Sequence, residues 1–252
     1  MKTIGIIPAR YGSTRFPGKP LAVINGKTMI RRVFEQASKS RKLQYIVVAT
    51  DDERIKKEVE SFSGNAILTA PNHKSGTDRC AEALDKLSEK FDVIINIQGD
   101  EPFIEPQQID DLVEMFTDNS VQIATLKVKI MDQKILESPN AVKVVSATNG
   151  KALYFSRLPI PYIRDFGGGN PLKHHTYYKH LGIYGYRSEV LQQIVKLPES
   201  SFEIAESLEQ LRWLENGYSI FVKETEKENF SIDTPEDLQK FLNNQSHNLN
   251  LY

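Results

Sequence analysis

The chain is 252 residues long with 40% hydrophobic and 26% charged residues, an ordinary balance for a globular protein and enough for one large domain or a domain with a sizeable insertion. Its formal net charge of −1, from 32 basic and 33 acidic residues, gives no global attraction to nucleic acid or to an anionic membrane, so an anion site must come from local placement of Arg and Lys. The single cysteine, Cys80, excludes an internal disulfide and a Cys-rich zinc site, and no apolar run approaches the roughly 18 residues of a membrane span.

In chain order, Met1-Lys2-Thr3 leads directly into an apolar run. That leaves no room for a signal peptide and sets the expectation of a cytoplasmic protein. Residues 3–7 read as a buried first strand. The strand runs into Pro8-Ala9-Arg10-Tyr11-Gly12-Ser13-Thr14-Arg15-Phe16-Pro17-Gly18-Lys19-Pro20-Leu21, a loop with three cations, two glycines that let it bend back, and prolines that stiffen it. Ser13 and Thr14 add hydroxyl donors. A stiffened cationic loop at the carboxyl end of a first strand suits a polyphosphate, because open α/β sheets bind ligands there.

Strand and helix patterns then alternate. Further strands are predicted at 45–49, 66–69, 93–97 and 123–128, and helices at 28–38, 53–62, 78–87 and 107–116, each helix with an apolar face. Cys80 falls on such a face and reads as a core residue. This order predicts a mainly parallel sheet flanked by helices, an α/β fold. After about residue 128 the pattern turns strand-rich, with strands at 141–146, 152–156 and 181–186 and a flexible loop at 165–171 around Gly167-Gly168-Gly169. Helices return at 188–195 and 203–215, and a strand at 218–222. Thr234-Pro235-Glu236-Asp237 reads as a helix start with Thr234 as N-cap, and the Asn-rich tail from 243 to 250 reads as frayed.

Two familiar phosphate motifs fail. Gly26-Lys27-Thr28 lacks the P-loop glycine five positions earlier, where Leu21 stands, and the triple glycine neither directly follows a strand nor opens a helix. A stronger element is Ile95-Asn96-Ile97-Gln98-Gly99-Asp100-Glu101-Pro102, in which an apolar strand ends at a carboxylate. A carboxylate facing a polyphosphate needs a divalent cation between them, and Mg²⁺ habitually takes one or two carboxylates plus substrate phosphates. Asp233, just before the Thr234 cap, is the candidate second ligand. In the loop His73-Lys74-Ser75-Gly76-Thr77-Asp78-Arg79, Ser75 or Thr77 would cap the following helix.

The segment from Ile6 to Leu21 as a whole resembles the nucleotide-binding signature of the sugar cytidylyltransferases, most closely those acting on the eight-carbon acid 3-deoxy-D-manno-octulosonate (Kdo). The resemblance implies a Rossmann-like nucleotide-diphospho-sugar transferase fold in one domain. Residues 1–128 would be mainly nucleotide-binding, about 129–190 a strand-rich sugar-binding and dimerisation portion, and 191–242 a return to the main body. It implies transfer of CMP from CTP to Kdo for lipopolysaccharide biosynthesis, with 8-amino-Kdo or a sialic acid as alternative acceptors, by a homodimer. By residue, it implies CTP on Pro8, Ala9, Arg10, Ser13, Arg15, Lys19, Ser75, Gly76, Thr77 and Gln98. Lys19, Arg10, Asp100 and Asp233 would be catalytic, with Mg²⁺ on Asp100 and Asp233. Arg157 would pair with the sugar carboxylate in a forked geometry, and His180, Tyr184, Glu209 and Gln210 would bind hydroxyls. Cytosine selectivity comes from the resemblance alone. A glycosyltransferase is disfavoured because no Asp-x-Asp occurs in the chain.

Overall fold

The computed structural model describes residues 1–13, 15–165, 167–228 and 231–249, with side chains through residue 243. Thr14 lies outside the described residues. The chain divides into two compact units, Met1–Asp110 with Asn229–Tyr252, and Asp111–Glu228.

The first unit starts with β1 (Thr3–Ala9), in which Ile4, Ile6 and Ile7 are fully buried. Such a run belongs in a sheet covered on both faces. A small hairpin follows, β2 (Val23–Ile24) and β3 (Lys27–Thr28), turned by Asn25 and Gly26, both at positive φ. Thr28 then caps α1 (Met29–Ala37) by accepting from the Arg31 N–H at 3.4 Å. Next come β4 (Tyr45–Thr50), α2 (Glu53–Ser61) capped by Asp52, β5 (Ala66–Leu68), α3 (Gly76–Asp85) and β6 (Val93–Asn96). Helix α4 (Pro106–Met115) follows, its residues from Asp111 onward counted in the second unit. The strands are all parallel in the order β6-β1-β4-β5, with Ile4 opposite both Tyr45 and Ile94. The chain moves from β1 to β4 and β5 on one side and then to β6 on the other. A topological switch point therefore lies between the carboxyl ends of β1 and β6, where open parallel sheets bind ligands.

In the second unit, β7 (Ile123–Lys129) is followed by the short helix α5 (Gln133–Glu137), β8 (Lys143–Ser146), β9 (Ala152–Ser156) and β10 (Tyr178–Arg187). Then come α6 (Ser188–Ile194), α7 (Ser201–Glu206), α8 (Glu209–Glu215) and β11 (Ile220–Thr225). Strand β7 runs parallel to β11 and antiparallel to β10, while β8 pairs antiparallel with both β10 and β9. The antiparallel pairing accounts for the scarcity of helices between 141 and 186. The single helix predicted over 203–215 is two helices, because Ser207 adopts the left-handed conformation (φ 50°, ψ 50°) and Leu208 is extended.

Helix α9 (Pro235–Leu249) returns to the first unit and is helical over residues 243–249, part of the stretch predicted to fray; residue 250 lies outside the described residues. Its start is a capping box: the Asp237 N–H donates to the Thr234 hydroxyl at 3.2 Å and the Thr234 N–H to the Asp237 carboxylate at 3.0 Å. Leu238 and Phe241 pack with Phe16 and Phe103 against buried Ile24, Met29 and Ile232, so the C-terminal helix is anchored by the same apolar cluster that backs the basic loop. Among the described residues no helix is long and apolar enough to cross a membrane.

Candidate functional site

The first unit holds a cavity of about 350 Å³ at the β1–β6 switch point. Pro8, Ala9 and Arg10 reach it from the end of β1, and Gln98, Gly99 and Asp100 from the end of β6. The two strand ends touch there. A Cβ on Gly99 would lie 2.7 Å from the Pro8 carbonyl oxygen, a backbone atom that cannot swing away. Gly99→Ala is therefore expected to cost about 1–3 kcal/mol of stability and to weaken nucleotide binding together with it. Urea unfolding and CTP titration of the same preparation check this, and unchanged values in both would remove the close-approach argument.

The basic loop supplies Ser13, Arg15 and Lys19 to the cavity wall. It is bent by hydrogen bonds from the Ser13 and Gly18 N–H groups to the Tyr11 carbonyl, both 2.9 Å, with Gly18 at φ 72°. Lys19 then opens a 3-10 turn over Lys19–Leu21. Its ammonium lies 2.7 Å from Asp100 Oδ2 and 3.3 Å from Asp233 Oδ1, and Arg15 lies 3.4 Å from Asp233. Distant segments meet here because the Ile232 N–H donates to the Asp100 carbonyl at 3.0 Å, which lays residue 233 beside residue 100. Asp233 is further fixed by its own N–H donating to the Asp237 carboxylate at 3.2 Å.

Two carboxylates within reach of one ammonium form a hard-oxygen donor pair, which fits Mg²⁺ when substrate phosphates complete the shell. Among the described residues, no cluster of three or more His, Cys, Asp or Glu side chains has metal-site spacing. Five cationic side chains line the cavity, Arg10, Arg15, Lys19, Lys74 and Arg79, against the two carboxylates Asp100 and Asp233. The local field is thus positive although the whole chain is near neutral.

The opposite wall is the amino end of α3. Ser75 and Asp78 form a reciprocal capping box, so Ser75 is the cap. Ser75 and Gly76 line the cavity. Thr77 does not: it is 3% exposed, turned into the core by the same helical turn that presents Gly76. Arg79 was not foreseen as part of the site, although it stands one helical turn after Ser75 and so shares its face. Its guanidinium is buried, donating to Thr69 Oγ1 at 2.5 Å and to Asp51 at 3.3 Å. His73, also on the wall, is held by Glu82, which accepts as well from the Ala70 N–H at 2.8 Å.

The residues expected to hold a sugar acid lie in the second unit. A bulge in β10 between Leu181 and Tyr184 re-aims the strand, and Thr125 of β7 takes up the irregular carbonyls. Its hydroxyl donates to Ile183 O at 2.8 Å and therefore accepts from His180 Nε2 at 3.0 Å, which assigns the imidazole proton to Nε2 and leaves Nδ1 as an acceptor. The His180 ring stands edge-on to Phe155 at 5.0 Å and 5.2 Å from the Tyr184 ring. Tyr184 packs edge-on against Trp213 at 5.2 Å, and its hydroxyl is buried with no hydrogen-bond partner among the described residues. An orphan buried hydroxyl costs about 1–3 kcal/mol, a penalty that a polyol ligand relieves. Burial first, and the nearby Glu209 carboxylate second, raise the Tyr184 pKa well above its ordinary value, so it is a hydrogen-bond donor. Gln210 is 6% exposed and Glu209 half-buried, side by side in the first turn of α8.

Arg157, expected to grip a carboxylate, is also engaged by the backbone. Its Nε donates to Glu206 O at 2.6 Å, Nη1 to Pro139 O at 2.9 Å and Nη2 to Ser207 O at 3.1 Å. The guanidinium thus satisfies the carbonyls freed where α7 breaks. The Glu206 carboxylate in turn accepts from Ser156 Oγ at 2.7 Å and from the Arg157 N–H at 2.9 Å. Lys143, fully buried, donates to Ser138 O at 2.9 Å and to Arg157 O. The arrangement presents Arg157 chiefly as a brace for the segment that carries Glu209 and Gln210, with one N–H left on each terminal nitrogen.

Burial, with Lys179 nearby, pulls the His180 pKa down to about 3 from 6.5. Between those values the unfolded chain binds a proton that the native one refuses. Stability is therefore full above pH 6.5 and is lost as pH falls through this window, with a slope of at most about 1.4 kcal/mol per pH unit. His180→Gln is expected to flatten the pH dependence of urea unfolding between pH 7 and 4.5. An unchanged slope would show that other groups carry it.

A family model described as cytidylyltransferase matches residues 4–240. The chain belongs to the cytidylyltransferase family. This cytidylyltransferase is 55% identical over 246 residues to a 3-deoxy-manno-octulosonate cytidylyltransferase of Parabacteroides distasonis, covering 96% of this chain and 97% of the relative. It is 54% identical to the protein of the same name from Bacteroides thetaiotaomicron, covering 98% and 100%. Among solved structures, that of a CMP:2-keto-3-deoxy-manno-octonic acid synthetase complexed with CTP matches with a TM-score of 0.90 at 43% identity, over 98% of this chain and 100% of that one. The expected α/β fold, a mainly parallel sheet flanked by helices, is borne out by that match.

Proposed function

We propose that this cytidylyltransferase transfers CMP from CTP to Kdo, releasing pyrophosphate. The observation that carries the reading is the meeting of the basic loop with Asp100 and Asp233 in one cavity at the β1–β6 switch point. Arg10, Ser13, Arg15 and Lys19 take the triphosphate, and Ser75, Gly76 and Gln98 face the rest of the nucleotide. In the reaction the anomeric oxygen of Kdo forms a bond to the α-phosphorus, the bond to the pyrophosphate oxygen breaks, and the hydroxyl proton leaves to solvent. Lys19 and Arg15 neutralise charge that builds on the departing pyrophosphate. Asp100 and Asp233 would hold Mg²⁺, which when bound supplies charge neutralisation at the phosphates and orients the reactants. No residue is assigned as general base. Positioning and electrostatics carry the rate, with no covalent enzyme intermediate.

The sugar acid is assigned to the second unit, on His180 Nδ1, the Tyr184 hydroxyl, Glu209 and Gln210. Apolar side chains exposed in that unit, among them Leu153, Leu158, Tyr162 and Phe202, favour the homodimer that the family likeness implies. A cytoplasmic place in lipopolysaccharide synthesis follows from the same reading. The test is pyrophosphate release from CTP with Kdo, 8-amino-Kdo and a sialic acid offered singly. Release is expected with Kdo and Mg²⁺; release only with another acceptor, or from another nucleotide, would overturn the reading.

A further inference from the structure

The basic loop places three cations within ten residues, and their mutual repulsion favours an open loop. Something must hold it bent before any triphosphate arrives. Beside the ion pairs of Arg15 and Lys19 and the packing of Phe16, the holding contacts converge on Tyr11. Its carbonyl accepts the Ser13 and Gly18 N–H groups at 2.9 Å each, and its own N–H donates to Asp51 at 3.4 Å. Its ring is met by Gly18, where a Cβ would come within 3.2–3.3 Å of Cε2, Cζ and Oη and crowd the ring, and where φ of 72° favours glycine as well. The ring also carries the Arg54 guanidinium, whose central carbon lies 3.4 Å from the ring centroid. Arg54 is aimed by Asp52: Nε reaches Oδ1 at 2.9 Å and Nη2 reaches Oδ2 at 2.7 Å, a bidentate pair at the first turn of α2. Tyr11, Asp52 and Arg54 do not line the cavity.

We propose that the Asp52–Arg54–Tyr11 stack is a positioning clamp that ties the basic loop to the start of α2 and holds Arg10, Arg15 and Lys19 at triphosphate-binding distance. The clamp deepens the CTP reading above and rests on it for its kinetic arm. Its structural arm stands alone. A planar guanidinium over an aromatic face, already oriented by a carboxylate, is a contact that lysine reproduces poorly.

The test compares Arg54→Ala, Arg54→Lys, Tyr11→Leu and Tyr11→Phe with the unaltered chain. In Arg54→Ala and Tyr11→Leu the KM for CTP is expected to rise about three- to tenfold, with kcat and the KM for Kdo within twofold. Tyr11→Phe keeps the ring and is expected to match the unaltered chain, with Arg54→Lys between. Combining Arg54→Ala with Tyr11→Leu is expected to add little to either alone, because both break one contact. Trypsin provides the arm independent of CTP. Cleavage after Arg10 and Arg15 is expected to accelerate several-fold in Arg54→Ala, while cleavage after Lys56 and Lys57 in α2 stays constant. Unchanged loop cleavage, or equal acceleration within α2, would overturn the clamp. An equal rise in both KM values would also overturn it, as a general loosening. If the unaltered chain releases no pyrophosphate from CTP, the functional reading fails while the trypsin comparison still decides the clamp.

Discussion

Lys19→Ala is expected to lower turnover by about two to three orders of magnitude while leaving the fold intact. The ammonium sits between Asp100 and Asp233 at 2.7 and 3.3 Å, and its side chain is only 14% exposed. Two jobs therefore end together when it is removed. The departing pyrophosphate loses a preorganised positive charge in a partly desolvated cavity, where such charges act more strongly than in water. The two carboxylates also lose the cation between them, so the triphosphate meets a less positive wall. The fold survives because the loop is bent by backbone bonds to Tyr11 and backed by Phe16 in the apolar cluster, neither of which involves the Lys19 side chain. Steady-state pyrophosphate release and circular dichroism on one preparation check both halves. Turnover within tenfold of the unaltered chain would remove the leaving-group role. A lost thermal transition would instead make Lys19 a structural bridge between residues 100 and 233.

Local physics made much of this architecture readable from the sequence. Isoleucine runs bounded by Gly and Pro predicted β1 and β6 within two residues at each end, and Thr234-Pro235 marked the start of α9. What depends on distant partners was not readable. The break between α7 and α8 lies in an unbroken helical pattern, and it is stabilised by Arg157, fifty residues before Ser207 in the chain. The guanidinium that satisfies those carbonyls leaves no local mark. The same partnership gives Arg157 a bracing role that no sequence pattern marks. The neighbourhood of Asp100 and Asp233 depends on long-range contacts such as the backbone bond from Ile232, so no spacing rule reveals it; the position of Asp233 before a helix cap was a weak sign that the family likeness strengthened. Arg79 was legible in principle, since it shares a helix face with Ser75, but a buried arginine is rare and nothing in the local pattern marks this one as turned inward.

Replacing Asp100 by asparagine tests the other half of the pocket. Asparagine keeps the size and one oxygen but removes the charge, so Asp100→Asn is expected to cut turnover by at least about three orders of magnitude and to weaken divalent-cation binding with it. Asp233 alone cannot compensate, because it is shared with Arg15 at 3.4 Å and Lys19 at 3.3 Å. A competing account makes Asp100 only the counter-ion that orients Lys19 through their 2.7 Å pair. The two accounts differ in a quantity other than rate. If Asp100 is a metal ligand, the affinity for Mn²⁺, read by electron paramagnetic resonance in the presence of a non-hydrolysable CTP analogue, falls at least tenfold in Asp100→Asn and by much less in Lys19→Met, which keeps both carboxylates. If Asp100 only orients Lys19, the Asn variant binds Mn²⁺ as the unaltered chain does and resembles Lys19→Met in rate. Carboxylates at 27% and 37% exposure are open enough to exchange a cation with solvent, so the titration reads affinity rather than access. The Lys19 ammonium, paired with both acids at 2.7 and 3.3 Å, offsets the repulsion between them, which is why its removal and the loss of Asp100 have to be told apart by metal affinity and not by rate.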